Sequence, residues 1–327
     1  MEYGKIKGIN KPASRYIVGT MQFGEYDYKP EYVQTLDNAY EAGINIIDTA
    51  WSYGHPNEGC SEWVVGKWMR ENNLRDKIIL TTKCCHPNDW RTKVHSYDIL
   101  SEFHDSLARM QVDYVDVLYL HRDDPNTSVQ EIIDTLDTLR TQGLVSVYGV
   151  ANWGFERIKE ANDYAASVGK QGFSFIEEHY SVAEMIDEPF MLGSGSISGP
   201  KYAEARKYYA EQQIPVASYS CLSGGFVTGR ITREGFKANP DSVNPSVRKG
   251  YCYDVNFDRL DRVIALAKEK GVTPAQIGMA YTMGSDMDVY PIVGALNKAE
   301  LDSSLAALDI KLTKAECDWL DLTSNER

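Results

Sequence analysis

The stretch "GINIIDTAWSYGHPNEGCSEWVVGKWMREN", residues 43–72, decides how the chain is read. It begins with a nearly continuous apolar run, as expected of a strand buried on both faces of a parallel sheet. The run ends on Asp48, and Tyr53 follows five residues later. A Gly-His-Pro kink then leads into "SEWVVGKWMREN", whose apolar residues recur at helical spacing. The stretch is one strand-to-helix unit with a polar tip.

The same unit recurs along the chain. Eight short β-branched runs are "RYIVGT", "GINIIDTA", "KIILTTK", "DYVDVLYLH", "LVSVYGVAN", "FSFIEE", "IPVASYS" and "DVYPIVG". Amphipathic stretches stand between them, among them "EYVQTLDNAYEAG", "SVQEIIDTLDTLRTQG", "FERIKEANDYAASVG" and "KYAEARKYYAEQQ". Several begin with Ser or Asp and end with Gly or Asn, which is cap chemistry. Eight strands alternating with helices predict a (β/α)8 TIM barrel, and 327 residues suit a single domain over residues 1–327. The alternative is a doubly wound open sheet. It would carry G-x-G-x-x-G after its first strand, and "GTMQFG" does not match. Ahead of the first run, "EYGKIKGINKPAS" reads as a short N-terminal β-hairpin. The stretch from about Gly224 to Asn256 is rich in Gly, Asn and Pro and reads as a long loop after strand seven, a lid or binding loop.

In such a barrel the C-terminal strand ends share one mouth. Polar residues fall there in register: Asp48 after the second run with Tyr53 in the turn, Lys83 after the third, His121 after the fourth, Ala151 and Asn152 after the fifth. Each alone has an ordinary explanation as a turn cap, a solvated strand end or a packed ring. Together they form an acid, a phenol, an amine and an imidazole on three successive tips. A Lys ending an apolar strand is costly unless paired, and Asp48 is the obvious partner. The ammonium is expected to lower the phenol's pKa, and the imidazole to donate a hydrogen bond to a carbonyl oxygen beside it. Tyr53 would then protonate that oxygen as hydride reaches carbon, or deprotonate an alcohol in reverse.

Totals narrow the partners. A net charge of -13 argues against nucleic acid or an anionic membrane, both of which need a basic face. "MEYGKIKGIN" has no apolar region of the signal-peptide kind, and no run reaches membrane-span length. The six cysteines are scattered, with no spacing that suggests zinc or any other metal site, and read as reduced thiols of a cytoplasmic protein. The oligomeric state is not legible.

At this point the chain resembles the aldo-keto reductase family. "DTAWSYG", "TTK", "LYLHRDDP", "GVANW" and "SYSCLSGG" carry the resemblance, in order, over nearly the whole length. It implies NADP(H) or NAD(H), a small carbonyl or alcohol substrate, Tyr53 as general acid/base tuned by Asp48 and Lys83, and His121 orienting the carbonyl. It also implies a cofactor path. Thr20, Met21 and Asp48 lie along it, Asn152 and Glu177 meet the nicotinamide carboxamide, and Tyr219 stacks on the ring. Ser220, Cys221, Leu222 and Gly224 follow the pyrophosphate, and Gly294, Asn297, Lys298, Glu300 and Ser304 lie at the adenosine 2'-phosphate.

The sequence departs from the family pattern at several of these places. Ala151 replaces a Ser, Glu177 a Gln and Cys221 a Pro. Leu296, Glu300 and Ser304 stand where relatives place cations and Asn, which leaves Lys298 as the one cation of that loop. An Arg pairs bidentately with phosphate, so its loss should relax the preference for NADPH. Tyr26, Trp51, His86, Trp90 and Trp153 follow strand ends and are the expected substrate wall. Their aromatic rims and polar neighbours suit a sugar or polyol-type carbonyl. Two other readings are a redox-neutral epimerase or eliminase with retained NAD, and a non-catalytic regulatory subunit. The intact acid, phenol, amine and imidazole argue against the latter.

Overall fold

The structure, a computed structural model, describes residues 1–327 except 55, 190–192 and 296. A two-stranded antiparallel hairpin comes first, β1 (Tyr3–Gly4) and β2 (Ala13–Ser14). Asn45 ties it down, its Oδ1 accepting from Ser14 N at 2.9 Å and its Nδ2 donating to the Pro12 carbonyl at 2.7 Å. Eight parallel strands follow: β3 (Ile17–Gly19), β4 (Ile46–Asp48), β5 (Ile79–Cys84), β6 (Val115–Leu120), β7 (Val145–Ala151), β8 (Ile176–His179), β9 (Val216–Tyr219) and β10 (Val289–Val293). They close in the order β10-β3-β4-β5-β6-β7-β8-β9. The predicted barrel and its hairpin are therefore both present, and each strand coincides with one of the eight apolar runs.

The chain clusters into two compact units, Met1–Glu177 with Ile292–Lys298, and Glu178–Pro291 with Ala299–Arg327. In the first, β3 to β7 pair in unbroken parallel register, for example Gly19 with Asp48, Asp48 with Thr81, and Lys83 with Tyr119. Nearly every side chain of these strands is buried, as runs apolar on both faces require. Gly149 on β7 is there for space. A Cβ at that position would meet the Phe175 carbonyl oxygen at 1.8 Å and the Tyr119 ring at 3.2 Å. The turn after β4 feeds a helix, Cys60–Glu71, which turns Val64, Val65, Trp68 and Met69 into the core.

In the second unit, the connection after β9 is long, as expected, but it is not an open loop. Short helices occupy Ser223–Thr228, Arg233–Ala238, Pro240–Ser242 and Pro245–Tyr251 before the long helix Asp254–Lys270. The residues that read as loop are helix starts. Thr232 accepts from Gly235 N, Asn244 accepts from Ser246 N, and Pro245 takes the first helical position, where its missing N–H costs nothing. The six cysteines are free, with Cys84 Sγ and Cys85 Sγ 3.5 Å apart. Among the described residues no helix is long and apolar enough to cross a membrane.

Candidate active site

The site grows from the ends of β4, β5 and β6, all in the first unit. Parallel register puts Asp48 beside Thr81, and Lys83 two residues further on β5 points to the same side. The Lys83 ammonium, fully buried, donates to Asp48 Oδ1 at 2.5 Å, to Tyr53 OH at 3.0 Å and to the Thr49 carbonyl at 3.2 Å. The Tyr53 hydroxyl also lies 3.3 Å from Asp48 Oδ2, and Thr81 Oγ1 donates to Asp48 Oδ1 at 2.9 Å. The His121 ring stands edge-on to Tyr53, centroids 6.0 Å apart. The four residues singled out from the strand tips are thus brought together.

The electrostatics differ in one respect from expectation. Lys83 does pull the Tyr53 pKa down, but burial and the Asp48 and Glu177 carboxylates outweigh it, and the phenol is held above its ordinary range. Tyr53 therefore rests as a proton donor. For Lys83 burial works against the charge, yet Asp48, Glu177 and Tyr53 more than restore it, and the ammonium is held above its usual value. His121 is pushed well below the ordinary imidazole value by burial, with Arg122, His86 and Lys83 adding to it. It is neutral at physiological pH. Its Nδ1 lies 3.3 Å from Ser52 Oγ. With the hydroxyl donating there, the ring proton sits on Nε2, a donor for a carbonyl oxygen.

Ser52, Thr81, Tyr119 and the second carboxylate of the cluster were not assigned roles there from sequence. Glu177, the second residue of β8, has its Oε1 3.2 Å from Lys83 Nζ. Burial and the nearby Asp48 push its carboxyl up to about 8 against the pull of Lys83. Tyr119 is a buried second phenol with Lys83 Nζ 5.9 Å from its ring centroid. Period-two alternation on the strands was the signal for Thr81 and Tyr119, which sit two residues before Lys83 and His121. Ser52 was visible only as the residue before Tyr53. Replacing Ser52 by Ala is expected to lower kcat/KM about fivefold, the effect of losing one neutral hydrogen bond of ~1 kcal/mol. An unchanged kcat/KM would mean that Ser52 does not orient His121.

The expected substrate residues are arranged unequally. The His86 ring lies 4.8 Å from the His121 ring, and its Nδ1 donates to the Pro87 carbonyl at 2.9 Å. Burial, with Arg122 and Lys93, lowers its pKa. Trp51 is half-buried beneath the Lys93 ammonium, 4.7 Å from the ring centroid. Tyr26 is exposed, with its hydroxyl on the Glu58 carbonyl at 2.5 Å, and Trp90 is 89% exposed on a turn held by Asn88 Oδ1. Trp153 is turned inward, buried edge-on to Phe173 at 5.3 Å.

The cofactor candidates also divide. In the first unit, Thr20 is buried and donates to the Asp48 carbonyl at 2.7 Å, while Met21 is exposed. Asn152 takes a positive φ of 63°, and its Nδ2 donates to the His121 carbonyl at 3.3 Å. In the second unit, the Tyr219 hydroxyl donates to the Gly195 carbonyl at 2.8 Å, and Cys221 Sγ to the Ser218 carbonyl at 3.1 Å. Ser220 and Gly224 both take positive φ there, with Leu222 between them. Lys298 opens the helix Lys298–Ala306, just after Gly294 and Asn297; Glu300 lies in its first turn, and Ser304 Oγ donates to the Glu300 carbonyl at 3.0 Å. Leu296 lies outside the described residues.

A closed eight-stranded β/α barrel with an acid–base cluster at its strand ends belongs to the large class of barrel enzymes. The sequence-family model described as "Aldo/keto reductase family" matches residues 15–323, and the chain belongs to that family. It is an oxidoreductase. Curated relatives agree. A probable aryl-alcohol dehydrogenase of Saccharomyces cerevisiae is 28% identical over 90% of this chain and 87% of its own length. Versiconal hemiacetal acetate reductase of Aspergillus parasiticus is 27% identical over 98% and 96%. Norsolorinic acid reductase B of Dothistroma septosporum is 27% identical over 93% and 76%.

The family uses a nicotinamide cofactor. One feature of the first unit fits its carboxamide end. Glu177 Oε2 is buried with no hydrogen-bond partner among the described residues, and a carboxamide, which carries both a donor and an acceptor, would supply one.

Proposed function

We propose that this protein reduces a small carbonyl compound to its alcohol, or runs the reverse, with Tyr53 as the general acid/base. The observation that carries the reading is the position of Lys83 Nζ, in hydrogen-bond contact with both the Tyr53 hydroxyl and the Asp48 carboxylate. The nicotinamide cofactor supplies or accepts the hydride. Asp48 fixes the ammonium, and the ammonium stabilises negative charge as it develops on the Tyr53 oxygen. His121, neutral, donates from Nε2 to the carbonyl oxygen and sets it beside the phenol. Tyr53 gives its proton to that oxygen as carbon is reduced. A binding-only role does not call for this buried and charged arrangement, which costs desolvation unless every charge is partnered.

The substrate class follows from weaker support. A relative named for aryl alcohols favours an aryl aldehyde or ketone. His86, beside His121, favours the hydroxylated class, because with Nδ1 donating to Pro87 its Nε2 is an acceptor for a substrate hydroxyl. A panel of aryl and polyhydroxylated aldehydes, followed by nicotinamide absorbance, separates the two. Turnover of neither class would sink the proposal.

The same reading extends to cofactor choice. Lys298 is the one cation near the helix start, Glu300 is in the first turn, and the Ser304 hydroxyl is spent on its own helix. NADH is therefore expected to compete with NADPH. A kcat/KM preference for NADPH above about 100-fold, roughly 2.7 kcal/mol, would contradict this.

A further inference from the structure

Lys83 has more claims on it than protons. Its three N–H groups face four acceptors: Asp48 Oδ1, Tyr53 OH, the Thr49 carbonyl and Glu177 Oε1. Two carboxylates share this one ammonium, and Lys83, Asp48 and Glu177 are all buried. Both cannot ionise without leaving a net buried negative charge. The two are not equivalent. Asp48 accepts from Lys83, Thr81 and Tyr53, whereas Glu177 has the longer ammonium contact, and its second oxygen is buried without a hydrogen-bond partner among the described residues. The ionised member is Asp48, and the spare proton belongs on Glu177.

We propose that Glu177 is the proton reservoir of Tyr53, acting through Lys83. The proposal rests on Tyr53 being the proton donor, and it adds where the next proton comes from. After Tyr53 has protonated the carbonyl oxygen, a phenolate remains 3.0 Å from Lys83 Nζ. An N–H bond of Lys83 breaks and the Tyr53 O–H re-forms. The Glu177 O–H breaks in turn, across 3.2 Å, and restores the ammonium. The net change is phenolate plus carboxylic acid to phenol plus carboxylate, with no electron transferred. In alcohol oxidation the same path runs backwards, and Glu177 receives the proton. The charged and titratable groups facing Glu177 are Asp48 from β4, Lys83 from β5, Tyr53 from the turn after β4, Tyr119 from β6, and Arg122 just beyond β6. Burial and Asp48 favour the protonated acid, while Lys83 and Arg122 oppose it less strongly. Glu177 is thus a positioning and storage residue, distinct from the groups that touch substrate.

Glu177→Gln keeps the shape and an acceptor for Lys83 but cannot ionise. Carboxyl-13C NMR of glutamate-labelled protein reads the proton directly, without cofactor or substrate. One glutamate is expected to titrate near pH 8 in the parent and to vanish in Glu177→Gln. In steady state, the parent's kcat for reduction should fall through that same pH range while kcat for oxidation rises, and both limbs should be lost in Glu177→Gln. If every glutamate carboxyl is ionised by about pH 6, or if Glu177→Gln keeps both limbs, the proposal is overturned. Because the NMR titration needs no turnover, it stands apart from any failure of the Tyr53 mechanism, which Tyr53→Phe tests alone.

Discussion

Tyr53→Phe lowers kcat for carbonyl reduction by about 100- to 10,000-fold, the range expected when a positioned general acid is removed. Phe keeps the ring and its edge contact to His121, so the loss belongs to the hydroxyl. Cofactor affinity, followed by quenching of protein fluorescence, changes little, since the lost oxygen bonds only Lys83 and Asp48 among the described contacts. Catalysis and binding therefore separate in one variant. A residual rate within tenfold of the parent would remove Tyr53 from the mechanism.

Lys83→Met carries the second large effect, on stability as well as activity. The side chain is fully buried, is the counter-charge of Asp48 and also contacts Glu177. Removing one partner of a buried ion pair costs about 3–5 kcal/mol, because the remaining charge is left without compensation. Unfolding by denaturant should show a loss of that order near pH 8. The pH dependence has a definite sign. An uncompensated carboxylate has its folded-state pKa raised above the unfolded value, so the folded state binds more protons and stability rises as pH falls. The deficit of Lys83→Met should shrink toward pH 5, and a second change, Asp48→Asn, should recover part of it at pH 8. Stability equal to the parent at pH 8 would show that Lys83 is not the counter-charge.

The barrel was legible because its strands are buried on both faces and therefore read as unbroken apolar runs. The tip residues were legible for the same reason: Asp48, Lys83 and His121 are polar groups where such runs stop. The Glu177 contact to Lys83 was not, since it joins strands far apart in sequence through side-chain reach, and no local pattern encodes it. The phenol's acidity came out opposite in sign. One ammonium beside Tyr53 argues for a lowered pKa, but burial and two carboxylates enter only once packing is known. The packing of Trp153 on Phe173 was not legible either, since Phe173 is not its sequence neighbour. The segment after β9 looked open because Pro and Asn are as much helix-start residues as loop residues, and only the cap bonds distinguish the two.

Single-turnover mixing bears most directly on Tyr53-dependent carbonyl reduction. Enzyme loaded with reduced nicotinamide cofactor is mixed with an aryl aldehyde, and the nicotinamide absorbance is followed in H2O and in D2O. Proton delivery by Tyr53 in the hydride step predicts an absorbance loss stoichiometric with alcohol formed, slower in D2O, and slowed in Tyr53→Phe by the same large factor as kcat. Absorbance loss at the parent's rate in Tyr53→Phe would contradict it.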